Sequence, residues 1–434
     1  MKRGFLNNNL RVVTKKKEDL QKASVVKRPG IDFMQILPHD LVNLVTKHLD
    51  FDHLIRFSSV SRSWSEHSLL PPMNAPWLIV PFDRCTSSKV DSTCDDAIIG
   101  LFSPFNGSVY KLEREQLRNR RICGSCLGGW IITVNEDGEI RALCLLSKTV
   151  VKLPSIRKLP DVIGFMQLRK SVTYIIHESV DHSFTLMSSS VMCEIYVYKA
   201  VMSSADPTTS VVMVIQGLYR SLAFCRPGKD KTWSHVEGIG NHGLEDITFY
   251  RGKFYAVRRC GHVFVVEGLD GPSPSLKLIV TSNDLPSDSH RYYLVEVSDD
   301  LLLVTRTRCD DPMDGSDILE KDCVSSMSYK TTNFKVSKLD FDGPKWIEDY
   351  NLGKDRALFV GFNQSFSLTT TEFPGCKGNS IYFTDDFTEG NVGEKFGGHD
   401  IGIFDLANGS IEKCYSSNAM GIKPPPIWFT TCSC

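Results

Sequence analysis

Hydrophobic positions follow a helical period at the front of the chain and a strand period behind it. Between residues 36 and 60, apolar side chains recur every three or four positions, which predicts two short amphipathic helices. These positions are Leu41, Leu44, Val45, Leu49, Leu54, Phe57 and Val60. From about residue 97 onward, runs of β-branched and aromatic residues alternate with glycine-containing turns. The pattern therefore predicts a small helical module followed by a much larger β-domain.

Local signals at the helix starts define the helical module, residues 31–70. Pro38 suits a first helical turn, and Asp40 lies at the positive end of the helix dipole. Asp52 is expected to cap the second helix, and "SRSWSEH" predicts a third, whose large apolar residue is Trp64. Three short helices in about forty residues bury too little surface to enclose a core. Their apolar side is covered either by the rest of the chain or by another protein, and the periodicity leaves both open.

The β-domain, residues 97–434, shows one hairpin pattern after another. Segments such as "WIITVNEDGEIRALCL", "FYRGKFYAVRRCGHVFVVE" and "DIGIFDLANGSIEKCY" each place a glycine turn between strand-like runs. So many antiparallel hairpins exceed what one open sheet carries, and radial repetition removes most exposed edges. At ~40–50 residues per four-stranded blade, we predict a mainly β protein, a β-propeller of roughly six to eight blades. Residues 71–96, rich in proline at their start, are predicted to form a linker.

Composition and charge narrow the classes of function. Hydrophobic residues make up 41% of the chain and charged residues 23%, and the formal net charge is −1, so no overall field favours nucleic acid or a membrane surface. No apolar run approaches the ~18 residues of a membrane-spanning helix. The first residues lack the apolar core of a signal peptide, so the 14 cysteines are expected to be reduced thiols. We expect a protein of the nucleus, the cytoplasm or both, with no nucleic-acid or membrane partner.

Residues 1–30 are the one strongly charged segment. Nine lysines and arginines stand there against only Glu18 and Asp19. A basic stretch with few apolar residues cannot offset the entropy of ordering, so a disordered tail is predicted. The runs "KKK" and "KRP" would suit a nuclear-localisation signal, and a solvated tail without a receptor is the alternative.

Two motifs that look chemical are expected to be structural. "GIGNHG", residues 238–243, fits a dinucleotide fingerprint, but that fingerprint works where a helix follows, and strand-like "LEDITFYRGKFYAV" follows here. Cys123 and Cys126 form "CGSC", yet no second ligand pair stands at zinc spacing and the sequence behind them is strand-like. We therefore expect loop glycines and buried thiols, with no cofactor and no metal.

Acidic pairs and one aromatic loop are the remaining candidates. Pairs at 299–300, 310–311 and 385–386 would suit the acid and base of a glycosidase-like propeller, but neighbours on a strand point to opposite faces. We expect turn and loop-edge acids at these positions. In "EFPGCKGNSIYF", Phe373 and Lys377 are candidates for substrate recognition at a propeller rim. A loop that packs internally is the alternative.

The segment "LPHDLVNLVTKHLDFDHLIRFSSVSRSWSE", residues 37–66, resembles an F-box. The shared pattern is Leu-Pro, an acid, leucines at helical spacing, Asp-x-x-x-Arg, a valine and a tryptophan. In that family the module docks on the Skp1 adaptor of a cullin-based ubiquitin ligase. The resemblance therefore implies that a Skp1-like adaptor, and cullin through it, covers the apolar stripe. The residues that it assigns to Skp1 binding are Leu37, Pro38, Asp40, Leu41, Leu44, Leu54, Val60 and Trp64.

The second half of the chain resembles plant F-box proteins with a C-terminal KIB-type β-propeller. The matching text is "KDRALFVGFNQSFSLTTTEFPGCKGNSIYFTDDF", "HDIGIFDLANGSIEKCY" and "PPPIWFT", and the resemblance is most specific from Thr332 onward. It implies a non-catalytic substrate receptor of a Skp1–cullin–F-box ubiquitin ligase, which holds an unidentified target protein on its propeller. Two alternatives stay open. One is a carbohydrate-active propeller enzyme, which needs acids converging on one cavity, and the other binds Skp1 without turnover of any target.

Overall fold

The computed structural model describes residues 44–45, 49, 51–58, 75–81, 97–168, 171–178, 182–238, 243–282, 289–311, 328–348, 350–386, 400–415 and 426–431. The chain divides into two compact units. The smaller contains residues 1–49 and 54–69, and the larger contains residues 50–53 and 70–434. The basic tail, most of the first predicted helix and all of the third lie outside the described residues.

One predicted helix is described in full. Helix α1 (Phe51–Ser58) has an acid in its first turn and a base in its last, as the helix dipole favours. Its position confirms the helix expected from the apolar spacing of residues 54–60. Leu44 and Val45 are also helical, at the place where the sequence predicts the preceding helix.

Seven β-sheets form the described part of the larger unit. The first two hold β1 (Trp77–Pro81), β2 (Ile98–Phe102) and β3 (Val109–Glu113), then β4 (Arg120–Cys126), β5 (Trp130–Asn135), β6 (Ile140–Cys144) and β7 (Val150–Lys152). A three-stranded sheet follows, with β8 (Val162–Leu168), β9 (Ser171–Glu178) and β10 (Ser183–Ser188). The next two hold β11 (Val197–Met202), β12 (Val212–Gln216), β13 (Ser221–Cys225) and β14 (Ser234–His235), then β15 (Leu244–Tyr250), β16 (Lys253–Arg258), β17 (Val263–Glu267) and β18 (Ser275–Val280).

The last two sheets complete the unit. They hold β19 (His290–Val297), β20 (Asp300–Asp311), β21 (Ser328–Asp340) and β22 (Lys345–Ile347), then β23 (Arg356–Val360), β24 (Phe366–Thr369), β25 (Ser380–Phe383), β26 (Gly402–Asp405) and β27 (Ile411–Glu412). The final strand, β28 (Ile427–Phe429), pairs with β1 and so belongs to the first sheet. Short helical turns lie at Glu115–Leu117, Leu127–Gly129, Ile156–Lys158, Ser189–Val191 and Met192–Tyr196.

Six of the seven sheets contact one another in a closed ring. Contacts between successive sheets join β4 to β11 through Arg121 and the Val197 carbonyl (2.8 Å), and β15 to β19 through Asp246 and the Leu294 amide (2.8 Å). The ion pair of Lys199 with Asp246 joins β11 to β15, and Ser367 bonds the Glu296 carbonyl (2.9 Å) to join β24 to β19. The ring closes where Phe359 meets Trp428 (5.1 Å) and where Gly129 donates to Thr430 (3.0 Å). The fold is therefore the predicted β-propeller, with six blades among the described residues.

The sheet β8–β10 is an addition to this ring. Its inner face packs into the apolar core beneath the second and third blades through Tyr174, Ile176 and Met187, which are 0%, 2% and 8% exposed. The sixth blade departs from the expected antiparallel pattern, because β23 and β25 pair in parallel with β24 at their inner edge. The hairpin pattern predicted neither feature. The prediction that residues 71–96 form only a linker is also wrong, because β1 (Trp77–Pro81) lies within that range and is a strand of the first blade.

The turn between β23 and β24 crosses the ring. We call residues 361–365 the axial segment. The Gln364 amide donates to the Ser125 carbonyl on the second blade (2.7 Å), and Lys199 on the third blade donates to the Gly361 carbonyl (3.0 Å). Because the sixth blade is a neighbour of neither the second nor the third blade, this segment must reach across the middle of the propeller. Gly361 has a φ of 151° and a Cβ there would meet Thr384 Oγ1 at 2.1 Å, so glycine is required.

Candidate functional site

Asp52, in the first turn of α1, belongs to the larger unit and is held by two cations of that same unit. Its carboxylate receives both terminal nitrogens of Arg114 (2.6 and 2.9 Å) and the Lys148 ammonium (3.0 Å). Burial alone would raise the pKa of Asp52, but these two cations outweigh it and lower the pKa. Arg114 is only 1% exposed and also donates to the Leu145 carbonyl (2.7 Å). The sequence prediction that Asp52 caps the helix is wrong, because the helix begins at Phe51 and Asp52 lies within its first turn.

The predicted adaptor-binding residues differ in how they are placed. Leu44 is helical and 54% exposed, and Val45 beside it is 50% exposed, so an apolar surface is open there. Leu54 is only 3% exposed in this chain alone, so the chain itself covers this side chain, and its role in adaptor binding stays a prediction. The six other residues of the set lie outside the described residues. They are Leu37, Pro38, Asp40, Leu41, Val60 and Trp64.

A network of buried charges lies between the fifth and sixth blades. Arg306, 0% exposed, donates to Asp400 Oδ2 (2.8 Å), to Asp386 Oδ1 (3.3 Å) and to the Thr384 carbonyl (2.7 Å). The Tyr293 hydroxyl donates to the other oxygen of Asp386 (2.9 Å). Both carboxylates are therefore bound on at least two sides, as buried charges require.

Further pairs extend this network along the ring. Arg291, 1% exposed, donates to Glu245 Oε1 (3.1 Å), while the other oxygen of Glu245 accepts from the Tyr292 amide (3.3 Å). Lys199 and Asp246 form a second buried ion pair. Neighbouring blades are thus joined by charge pairs as well as by apolar contacts.

The acidic pair at 385–386 was predicted to be a loop edge, and the structure shows it buried. Asp385 and Asp386 are 2% and 3% exposed, and Asp385 accepts a hydrogen bond from Tyr329 (2.6 Å). Nothing in the local sequence signals this, because Tyr293 and Tyr329 come from other strands. Of the other pairs, Asp299 is exposed and Asp300 pairs with Lys338 (2.8 Å), as expected of turn acids. The side chains at 310–311 lie outside the description.

The buried network is suited to holding blades together more than to acid–base chemistry. Burial would raise the pKa of Asp386, but Arg291, Arg306 and Arg308 outweigh it and lower the pKa, so the carboxyl is ionised at neutral pH. A general acid needs a pKa near the working pH and access to substrate. Asp386 has neither property.

The thiols of "CGSC" are buried as predicted, and a strand follows "GIGNHG" as predicted. Cys123 and Cys126 are buried free thiols, and burial raises their pKa to about 11 and about 12. The strand β15 begins at Leu244, directly after "GIGNHG", where a nucleotide site would need a helix. No group of three metal-ligating side chains occurs within the described ranges. In the same ranges no helix is long and apolar enough to cross a membrane.

The candidate rim residues separate into a core residue and a surface residue. Phe373 is 3% exposed and packs in the cluster that contains Phe359, Tyr382 and Trp428. The prediction that Phe373 recognises a substrate at the rim is therefore wrong, because its ring is enclosed by the core. Lys377 is exposed and pairs with Glu412 on β27, so its role in recognition stays a prediction.

Both parts of the chain match known protein families. A family model described as the KIB1-4 beta-propeller matches residues 101–405, and the F-box domain model matches residues 34–73. The F-box protein SKIP23 of Arabidopsis thaliana is 27% identical over 422 residues, which cover 91% of this chain and 95% of that protein. From the same plant, the F-box protein At2g17036 is 26% identical over 91% of this chain and 94% of its own length. The F-box/kelch-repeat protein At1g64840 is 24% identical over 84% and 87%.

Proposed function

The chain belongs to the KIB1-4 β-propeller family and carries an F-box, and on that premise we propose that it is the substrate receptor of a Skp1–cullin–F-box ubiquitin ligase. The F-box holds a Skp1-like adaptor and, through it, cullin. The propeller holds a target protein for ubiquitination. The protein contributes proximity and orientation and performs no covalent chemistry itself. We propose the nucleus, the cytoplasm or both as its location, which a fluorescent fusion would test.

The observation that carries this proposal is the pairing of the F-box with a propeller that serves as a rigid platform. In the F-box match, Leu44 and Val45 present apolar side chains to solvent, as an adaptor-binding helix requires. In the propeller, the buried charge network and the axial segment bind blades to one another across the centre. A receptor needs such a fixed geometry to hold a target at a defined distance.

The carbohydrate-active enzyme receives less support. Acids do converge, since Asp385, Asp386 and Asp400 lie together, but each carboxylate is bound by Arg306, Tyr293, Tyr329 or Thr331. All three are at most 8% exposed. The remaining alternative, a Skp1-binding protein without degradation of any target, differs in one result. Under that alternative, no protein accumulates when this chain is removed from its cell.

Titration of purified Skp1 onto the full chain tests the adaptor step. Leu44→Glu should weaken binding at least about tenfold, or ~1.4 kcal/mol, because it places a charge on an apolar contact. Glutamate is a good helix former, so the helix itself should persist. Leu37→Ala combined with Pro38→Ala should come close to abolishing binding, because the helix start is lost as well.

Leu278→Glu is the matched control, since Leu278 is 46% exposed on the propeller strand β18. It should leave Skp1 affinity unchanged. All variants should have the same melting temperature as the wild-type protein. An unchanged Skp1 affinity in both F-box variants would contradict the proposal.

A further inference from the structure

Exposed apolar side chains are concentrated on one small part of the propeller unit. Of thirteen large hydrophobic residues exposed among the described residues, five belong to the sheet β8–β10. They are Ile163, Phe165, Met166, Phe184 and Leu186, with exposed fractions of 57%, 46%, 40%, 63% and 61%. Clustered exposure of this kind marks interaction surfaces, whereas scattered apolar residues are ordinary.

The register shows that most of this surface is one continuous face. Leu186 stands opposite Ile175, and Ile175 stands opposite Gly164, so the three share a face. Phe184 lies two residues before Leu186, and Met166 lies two residues after Gly164, which places both on that face. We call Met166, Ile175, Phe184 and Leu186 the apolar face.

A cationic cleft lies at the edge strand β8. Gly164 lines it from the side of the apolar face, whereas Phe165 stands opposite Tyr174 and so lies on the inner face. The cleft has a volume of about 360 Å³ and is lined by Arg157, Lys158, Ile163 and Phe165 among others. The Arg157 guanidinium lies 4.1 Å from the centre of the Phe165 ring, and Arg157 Nε is buried without a hydrogen-bond partner among the described residues. Across the described ranges neither Arg157 nor Lys158 forms an ion pair with a carboxylate. Two cations are therefore available to an anionic group.

We propose that the apolar face and the cationic cleft together bind an extended segment of the target protein, with apolar side chains for the face and a carboxylate for Arg157 and Lys158. This inference rests on the proposed function and specifies the target site within it. Charge complementarity selects an occupant with an anionic group, because a purely apolar partner would leave both cations of the cleft unpaired, and the proposed function makes that occupant a segment of the target protein.

The spacing of the strands fixes the spacing of the groups in the bound segment. Neighbouring strands lie ~4.8 Å apart, so β10 and β8 are separated by roughly 10 Å. An extended chain advances ~3.3 Å per residue, so about three residues span that distance. A bound segment that crosses the sheet and turns over the β8 edge should carry its acidic residue at least three positions from its apolar anchor.

Selection from a displayed library tests the inference with a defined probe. The library consists of random peptides of about twelve residues, long enough to cross three strands. It is panned on the full chain in complex with Skp1, with the Phe184→Asp, Leu186→Asp double variant as the counter-selection target. We expect enriched peptides with an aspartate or glutamate at least three positions from an apolar residue.

Synthetic versions of the enriched peptides then measure the two halves of the site. The Phe184→Asp, Leu186→Asp variant should bind them at least tenfold more weakly. Lys158→Gln should reduce the preference for the acidic peptide over its glutamine analogue at least threefold. Leu278→Asp, an exposed leucine on another blade, should change neither quantity.

Several outcomes would overturn the inference. One is the absence of peptides whose binding depends on the apolar face, and another is enrichment of peptides without acids. If sedimentation shows a dimer that the double variant abolishes, the face belongs to a second copy of the chain. If the protein binds phosphatidylserine vesicles and the double variant does not, the face belongs to a membrane. The Skp1 titration is independent of all these results, so a failure here is distinguishable from a failure of the proposed function.

Discussion

Removal of the Arg306 guanidinium tests whether the buried charge network holds the propeller together. Arg306→Met keeps a side chain of similar length and removes every hydrogen bond to Asp386, Asp400 and the Thr384 carbonyl. It also removes the cation that lies 4.7 Å from the centre of the Phe383 ring. The two carboxylates stay behind, 3% and 8% exposed, without their shared partner.

Breaking a buried ion pair by removing one partner costs about 3–5 kcal/mol, because an uncompensated charge remains in the interior. At ~2 °C per kcal/mol, the value for larger domains, the melting temperature should fall by about 6–10 °C. The loss should depend on pH. In the wild type the pKa of Asp386 lies below its ordinary 3.8. The ionised carboxylate therefore stabilises the folded protein above about pH 4, and this stabilisation is lost as the pH falls through the pKa of Asp386 in the folded state.

In the variant the same carboxyl loses a cation, so its pKa rises and protonation relieves the buried charge. The difference in stability between wild type and variant should therefore narrow as the pH falls below about 5. Urea unfolding of the full chain at several pH values measures both effects. Arg251→Met is the control, because Arg251 is 57% exposed and bonds the Asp299 carbonyl at the surface (2.9 Å). A shift no larger than that of the control, or a shift independent of pH, would refute the reasoning.

Two further predictions concern other parts of the chain. A protein that starts at residue 72 should fold, but its melting temperature should be lower than that of a protein that starts at residue 50. The shorter protein lacks Asp52, so Arg114 stays buried without its carboxylate partner. Equal melting temperatures in a thermal scan would contradict this. Exposed Cys309 should react with a thiol reagent in the native protein, whereas Cys123 and Cys126 should react only after unfolding, because burial raises their pKa to about 11 and about 12. Rapid labelling of Cys123 or Cys126 in the native protein, located by mass spectrometry, would contradict this prediction.

Local patterns were sufficient to predict the propeller. Each hairpin has its own turn glycine and its own alternation of apolar and polar positions, as at Gly138 between β5 and β6. The signal for a hairpin therefore lies within about fifteen residues of sequence. The helix α1 was predicted for the same reason. The parallel pair of β23 with β25 was missed, because the intervening β24 forms an ordinary hairpin with β23.

Features that depend on distant partners were not predictable from the sequence. Asp386 is bound by Tyr293, 93 positions away, and by Arg306, 80 positions away. No local pattern distinguishes it from the surface acid Asp299. Phe373 was assigned to a rim because its loop is rich in glycine. In the structure, the Phe373 ring instead packs in the core and anchors that loop.

The pairing of β1 with β28 has a consequence for the order in which the protein folds. Trp77 pairs with Phe429, so the first blade contains the first and the last strand of the propeller. Chains emerge from the ribosome at ~5–20 residues per second, and β1 keeps one open edge until β28 arrives. Every nascent or prematurely terminated chain that ends before residue 427 therefore exposes an unpaired strand edge, which is a template for aggregation. The first blade can therefore be completed only after residues 427–429 have been synthesised, and β1 depends until then on other means of covering its edge.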